Sequence, residues 1–274
     1  MSGGGSTRDA TWRPPRGALA ELVGFARADL ERRRRERPRL VAEVASRARG
    51  APRFTAALRA GGGYPLIAEV KQSSPSAGAI RSVDVTEQAR AYVRGGARCV
   101  SVLTEGRRFG GSLDDLRRVR REVDVPLLRK DFIVDPYMLA EASDAGADAV
   151  LLIAGALPPA ELRDLHAAAS GLGLDVLLEV VHPFELEVLA TLEAPLVGVN
   201  ARDLETLEVD AGRFARLAPS LERPGRVKVA ESGIHGPEDV RRLARAGAEA
   251  CLVGEALMRA PDPEGAVRAL VEAR

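Results

Sequence analysis

From Tyr64 onward, short runs of apolar, β-branched or leucine-rich residues recur along the chain: Leu66–Val70, Cys99–Leu103, Val125–Leu128, Ala149–Ile153, Val176–Val180, Leu196–Val199, Val227–Ala230 and Ala250–Val253. Each is apolar nearly throughout, which predicts strands buried on both faces of a parallel sheet, since half-exposed strands alternate. Stretches with helical period lie between them: Thr86–Arg94, Leu113–Glu122, Pro136–Ala145, Pro158–Gly171, Pro183–Leu192, Ala211–Leu217, Pro237–Ala246 and Pro263–Ala273. This alternation predicts βαβ units. Gly96-Ala97, Gly146-Ala147 and Gly247-Ala248 each sit between a helix and a strand, and Glu193-Ala194 holds the equivalent place. The interval is about 50 residues, or two βα units. The glycines are expected to end their helices in a left-handed cap. Spacing this even predicts a closed α/β fold, a (β/α)8 TIM barrel. No GxGxxG follows the first strand, which weakens the dinucleotide-binding alternative.

Before the barrel, Ala18–Arg49 reads as an amphipathic helix through Leu19, Leu22, Val23, Phe25 and Leu30, broken at Pro38 and resumed at Leu40. We therefore divide the chain into a disordered lead (1–17), a helical extension (18–63) and a catalytic barrel (64–274). The lead has no apolar core of the kind a secretory signal carries. Arg32–Arg35, flanked by Glu31 and Glu36, reads as a solvated helix face. The 274 residues carry 40 Lys+Arg against 39 Asp+Glu, a net charge of +1. That balance argues against a nucleic-acid or membrane-surface protein, and no apolar run is long enough to span a bilayer. Cys99 and Cys251 stand far apart in apolar runs, as free thiols of a reducing compartment do. A cytoplasmic location is expected.

Barrels of this kind place their chemistry at the C-terminal ends of the strands. There the chain offers Glu69 and Lys71 on strand 1; Ser101 and Thr104 on strand 2; Arg129, Lys130 and Asp131 on strand 3. Strand 4 ends with nothing ionisable. Glu179 follows on strand 5, Asn200 and Arg202 on strand 6, Glu231 and Ser232 on strand 7, and Gly254 and Glu255 on strand 8. Glu69 and Lys71 are two apart and share a face. One such pair fits a salt bridge closing the barrel top. Five charges together (Glu69, Lys71, Lys130, Glu179, Glu231) are costly to desolvate without a functional return, and such crowding separates a proton donor from an acceptor. Ser232-Gly233 and Gly254-Glu255 are small-residue turns where backbone N–H groups can approach a phosphate. Phe109 and Phe132 either line an aromatic or apolar substrate or pack under a loop. His166, His182 and His235 show no metal-ligand spacing, and His166 is expected at the surface. No metal site is predicted. Trp12 reads as an incidental residue of the lead.

These motifs resemble indole-3-glycerol phosphate synthase. The resemblance runs through Ile67-Ala68-Glu69-Val70-Lys71 with Ser74-Pro75-Ser76, Ser101-Val102-Leu103-Thr104, and Leu128-Arg129-Lys130-Asp131-Phe132. It continues in Leu178-Glu179-Val180, Gly198-Val199-Asn200-Ala201-Arg202-Asp203-Leu204, Ala230-Glu231-Ser232-Gly233-Ile234 and Leu252-Val253-Gly254-Glu255. It covers about residues 18–274. It implies a cofactor-free carboxy-lyase of tryptophan biosynthesis that closes the ring of 1-(2-carboxyphenylamino)-1-deoxyribulose 5-phosphate, then decarboxylates and dehydrates it. By this resemblance Lys130 is the general acid, Glu179 the general base, Lys71 a second catalytic lysine and Glu69 the residue orienting both lysines. Ser74, Ser101, Asn200, Arg202 and Glu231 contact the substrate, Phe109 and Phe132 pack on its ring, and Ser232, Gly233, Gly254 and Glu255 bind the phosphate. The partner implied is a small phosphorylated molecule, with no nucleic acid or membrane, and the chain acts as a monomer or weak oligomer. Gln72, Val181 and Ala201 depart from the usual pattern without removing a principal catalytic group.

Two rivals remain at this level. A phosphosugar isomerase on the same barrel would need a Cys/Asp or Asp/Asp acid–base pair, which the strand ends lack. A non-catalytic phosphosugar-binding barrel would keep the phosphate turns without needing Lys130 and Glu179.

Overall fold

A computed structural model of the chain describes residues 12–46, 50, 53–71, 73–74, 78–79 and 84–273, with backbone alone at 73–74 and 78–79. Eight parallel strands close a barrel: β1 (Leu66–Val70), β2 (Cys99–Leu103), β3 (Leu127–Lys130), β4 (Ala149–Ile153), β5 (Asp175–Val180), β6 (Leu196–Asn200), β7 (Val227–Glu231) and β8 (Ala250–Val253). Each pairs with its neighbours in sequence, and β1 pairs with β8 to close the ring. The register sets Glu69 beside Ser101, Leu103 beside Lys130, Ile153 beside Glu179, and Asn200 beside Glu231. Paired residues share a face, so these positions all point into the barrel. Its lower layers are filled by Ile67, Leu128, Leu177 and Val229, all fully buried.

Outside run α4 (Val85–Arg94), α5 (Leu113–Glu122), α6 (Pro136–Asp144), α7 (Pro159–Gly171), α8 (Leu186–Leu189), α9 (Arg213–Leu217), α10 (Pro237–Arg245), α11 (Glu255–Arg259) and α12 (Pro263–Val271). Their starts are chemically marked. Asp84, Ser112, Asp135 and Asp262 accept a backbone N–H from the first turn, and Pro136 and Pro263 occupy first-turn positions whose N–H would otherwise be unpaired. The predicted left-handed caps are present: φ is +100° at Gly96, +89° at Gly146 and +93° at Gly247. After each, the alanine N–H reaches back to close the helix, as Ala97 N does to Tyr92 O at 3.0 Å. Glu193-Ala194 does not belong to this set. A fourth cap of this kind stands one unit earlier, ahead of β5, where Gly173 has φ +70° and Leu174 N bonds Ala169 O at 3.1 Å.

Several boundaries differ from the sequence expectation. β3 lies two residues later than predicted, because Pro126 has no N–H to donate and Arg129, fully buried, finds partners outside the barrel. The helix expected over Pro183–Leu192 is a 3-10 turn, Pro183–Glu185, followed by the single turn α8. Ala211–Leu217 shortens to α9, extended by the 3-10 turn Ala218–Leu221.

Ahead of the barrel stand α1 (Gly17–Glu36), α2 (Leu40–Ala45) and α3 (Phe54–Arg59). α3 plugs the N-terminal end of the barrel. Phe54 is fully buried, and Thr55 donates both its N–H and its hydroxyl to Asp175 at 3.0 Å. α1 buries Leu19, Leu22, Val23 and Leu30 and is pinned over the opposite end. Ala18 N bonds Glu205 O at 3.2 Å, Arg108 pairs with Glu21, and Arg107 pairs with Asp29 at 2.8 Å while lying over the Phe25 ring. Arg32 pairs with Glu36 in solvent, as expected. Arg34, also exposed, meets Asp135 at 2.7 Å, and Arg35 is exposed, so the solvated face holds except at Arg33, which turns inward to the buried Glu141 at 2.9 Å. No helix among the described residues is long and apolar enough to cross a membrane.

Candidate active site

A cavity opens at the C-terminal end of the barrel, with Glu69, Lys71, Lys130 and Glu179 at its base. Lys130 Nζ stands 3.8 Å from Glu69 Oε2, 3.8 Å from Glu179 Oε2 and 3.7 Å from Glu231 Oε2. Lys71 Nζ lies 3.3 Å from the other oxygen of Glu69. Four strands thus deliver five charges to one point, and all three carboxylates are buried. Burial pushes Lys130 down, but Glu69, Glu179 and Glu231 together push it up further, holding its ammonium above the ordinary lysine range. Burial pushes Glu231 well above the usual carboxylate range, and the charge of Glu179 adds to that against the pull of Lys130. Glu231 therefore favours holding a proton beside Glu179. The oxygens of these two carboxylates, like the buried Ser101 Oγ, have no hydrogen-bond partner among the described residues, so their acceptors stay available inside the barrel.

Glu231 does not line the cavity itself; it stands behind Lys130, against Gly198 of the neighbouring strand. Ser101 is fully buried on the same layer as Glu69, with no partner for its Oγ, and it too stays out of the cavity lining. Ser74 lies in a two-residue strand, Ser73–Ser74, paired with Gly78–Ala79; its side chain, like all of Gln72, lies outside the described residues. Neither Arg129 nor Asp131 joins the cluster around Lys130. Arg129 bonds Thr104 Oγ1 at 3.1 Å and Asp131 Oδ2 at 3.0 Å, and Asp131 accepts Phe132 N at 2.8 Å. These two clamp the strand exit on which Lys130 rides.

One wall is aromatic and apolar. The Phe109 and Phe132 rings are 6.3 Å apart between centroids, and Leu22 of α1, Leu103, Leu151, Ile153 and Leu204 continue the surface. Phe109 is presented by a turn in which Glu105 accepts the N–H groups of Arg107, Arg108 and Phe109 at 2.8, 2.8 and 3.1 Å. The opposite wall is backbone and small residues: Ser232, Gly233 and Gly254. Ser232 and Gly233 both have φ +66°. Ser232 and Leu207 are the non-glycine residues with left-handed backbone among those described, and both line the cavity, where such strain tends to gather. Asn200 Oδ1 accepts Arg202 N at 2.9 Å, and the Arg202 guanidinium reaches Leu207 O at 2.9 Å and Glu255 Oε2 at 3.9 Å. Glu255 is held a second time by Arg259 at 3.2 Å. A deep cation–carboxylate cluster lies between a ring-sized apolar wall and a facing wall of exposed backbone, an arrangement that can hold an apolar ring and an anion on either side of acid–base groups.

The sequence signals missed the wall formed by Leu22, Leu151, Ile153 and Leu204, because apolar side chains at strand ends and in a helix look like core. His166 is half-buried, with its Nε2 unpartnered and its basicity lowered by burial, rather than fully exposed. Trp12 is half-buried too, and Arg13 lies over the Phe184 ring. Residues 1–11 of the expected lead lie outside the described residues.

The sequence model of the family described as indole-3-glycerol phosphate synthase matches residues 19–270. A Nocardioides sp. protein named indole-3-glycerol phosphate synthase is 57% identical over 218 residues, covering 79% of this chain and 82% of its own. One from Streptomyces coelicolor, named indole-3-glycerol phosphate synthase 1, is 50% identical over 258 residues, covering 93% of this chain and 95% of its own. The crystal structure of 3-hexulose-6-phosphate synthase from Salmonella typhimurium superposes with a TM-score of 0.61 at 19% identity, over 76% of this chain and 97% of that one, a likeness of fold. With the match running from α1 through the last helix, the chain belongs to the indole-3-glycerol phosphate synthase family.

Proposed function

We propose that the protein converts 1-(2-carboxyphenylamino)-1-deoxyribulose 5-phosphate to indole-3-glycerol phosphate, with Lys130 as general acid and Glu179 as general base. The observation that carries this reading is the single ammonium of Lys130 set among three buried carboxylates at the foot of the ring-sized wall. Lys130 protonates the ketone oxygen as the ring carbon bearing the carboxylate attacks the ketone carbon, forming the new C–C bond. The carboxylate then leaves as carbon dioxide, and its bonding electrons pass into the iminium just formed. The substrate thus supplies its own electron sink, and no prosthetic group is called for. Loss of water follows: Glu179 removes a proton while the hydroxyl departs with one. Lys71 binds the anionic substrate and supports that departure; Glu69, between the two lysines, fixes both.

Phe109 and Phe132 hold the anthranilate ring. Ser232, Gly233, Gly254 and Glu255 form the phosphate site through backbone N–H groups, since the Glu255 carboxylate is engaged by Arg202 and Arg259. Lys71, just past the strand beside β8, and Arg202 flank those turns, with Asn200 ordering Arg202; Ser74 completes the substrate contacts, while Glu231, behind Lys130, and Ser101 stand back from the lining and support it from beneath. The reading places the enzyme in the cytoplasm, consistent with its buried free thiols Cys99 and Cys251.

The experiment is product formation from this substrate in EDTA with no added cofactor. Carbon dioxide and an indole chromophore in equal amounts are expected. Substrate binding without either product would contradict the proposal and favour a non-catalytic phosphosugar-binding barrel.

A further inference from the structure

The loop that leaves β5 contains a buried carboxylate for which the reaction above has no use. Oε2 of Glu185 accepts hydrogen bonds from Val181 N at 2.6 Å and His182 N at 3.1 Å. These residues follow Glu179 by two and three positions, where the backbone leaves the sheet and its N–H groups need new partners. The other oxygen rests against the exit of the neighbouring strand: a β-carbon at Gly155, just past β4, would stand 2.6 Å from Glu185 Oε1. The carboxylate is thus held from two sides. An exposed capping residue could accept the same N–H groups without burying a charge, so the burial itself calls for a reason. Desolvation pushes Glu185 up to about 7, against the two backbone hydrogen bonds. The titratable groups facing it are Glu179 on β5, His182 in its own loop and Asp203 after β6. Arg13, Arg16 and Glu205 line the hollow above it.

We propose that Glu185 is a positioning residue for Glu179, fixing the exit of β5 so that the base stays aimed at Lys130 and the substrate. This role rests on the function proposed above and works through the backbone, without contact with substrate. Its ionised form binds both N–H groups more strongly than its acid form, so the alignment loosens as pH falls through Glu185's own titration.

The test is kcat and KM for wild type, Glu185→Ala and Glu185→Gln on the carboxyphenylamino-deoxyribulose phosphate, across roughly pH 5.5 to 8.5. Glu185→Ala is expected to lower kcat by about tenfold or more with KM changed by less than about threefold, because alignment is lost while the phosphate and ring walls remain. Glu185→Gln keeps an acceptor oxygen without a titrating charge. It should recover kcat to within about threefold and lose the decline below about pH 7 that is expected of wild type. A wild-type kcat in Glu185→Ala, or a joint loss of kcat and KM that Gln does not restore, would overturn the role. If the Ala variant does not fold, the Gln profile decides alone, and persistence of the decline below pH 7 overturns it. Wild type without turnover would refute the proposed function itself, and this role with it, before any variant is made.

Discussion

A β-carbon at Gly198 would fall on Oε1 of Glu231, and one at Gly254 on Oε1 of Glu69. Both glycines are shelves that let a carboxylate lie flat against the strand next door and still face Lys130. Gly198→Ala should therefore push Glu231 aside and cut kcat by about tenfold or more, with a small loss of stability, since the displaced atoms are the end of a side chain; an unchanged kcat would show that the position of Glu231 does not matter. Glu231 also makes a prediction about stability. Its folded value is raised above its unfolded one, so the folded state holds an extra proton above the ordinary carboxylate range, and stability falls as pH rises. Glu231→Gln removes that dependence. Its thermal midpoint should exceed that of wild type at about pH 8, with the gap closing toward pH 4, while activity drops. Equal midpoints at both pH values would contradict the assignment. At this scale Glu69, Lys71, Lys130 and Glu179 were legible in the sequence because charges at the ends of apolar strands have no cheap structural reading. The outward turn of Arg129 was not, because alternation becomes readable only once the strand's boundaries are known.

Between elements, ion pairs differ in worth by their burial. Arg108–Glu21 and Arg107–Asp29 tie the loop after β2 to α1 in solvent, whereas Arg33 and Arg129 converge on Glu141 inside the molecule. Glu141→Ala leaves the fully buried Arg129 short of a partner and should cost about 3 kcal/mol or more. Glu21→Ala should cost under about 1 kcal/mol. Denaturant melts of the two variants check this, and equal costs would contradict it. The eight strands were legible as apolar runs, and the caps at Gly96, Gly146 and Gly247 as punctuation. The plug α3 and the turn α11 escaped notice because five or six residues are too few to display a helical period. Around β5 and α8 the proline at 183 reads as a helix start, yet the chain spends those residues on a 3-10 turn that brings Glu185 back under the strand exit.

In the whole molecule, helix α1 bridges loops on both sides of the mouth and contributes Leu22 to its wall, so the part of the chain ahead of the barrel belongs to the site it covers. The barrel then separates three tasks in space. In the function proposed above, Phe109 and Phe132 take the ring, the turns after β7 and β8 take the phosphate, and the cluster beneath moves protons. That separation lets proton transfer by Lys130 be tested apart from binding. Turnover by Lys130→Met, followed by indole fluorescence, is compared with wild type, together with the affinity of each for a phosphate-bearing product analogue. Turnover is expected to disappear while affinity stays within about tenfold, because the phosphate and ring walls do not depend on Lys130. Turnover at the wild-type rate in Lys130→Met would contradict its role as the acid.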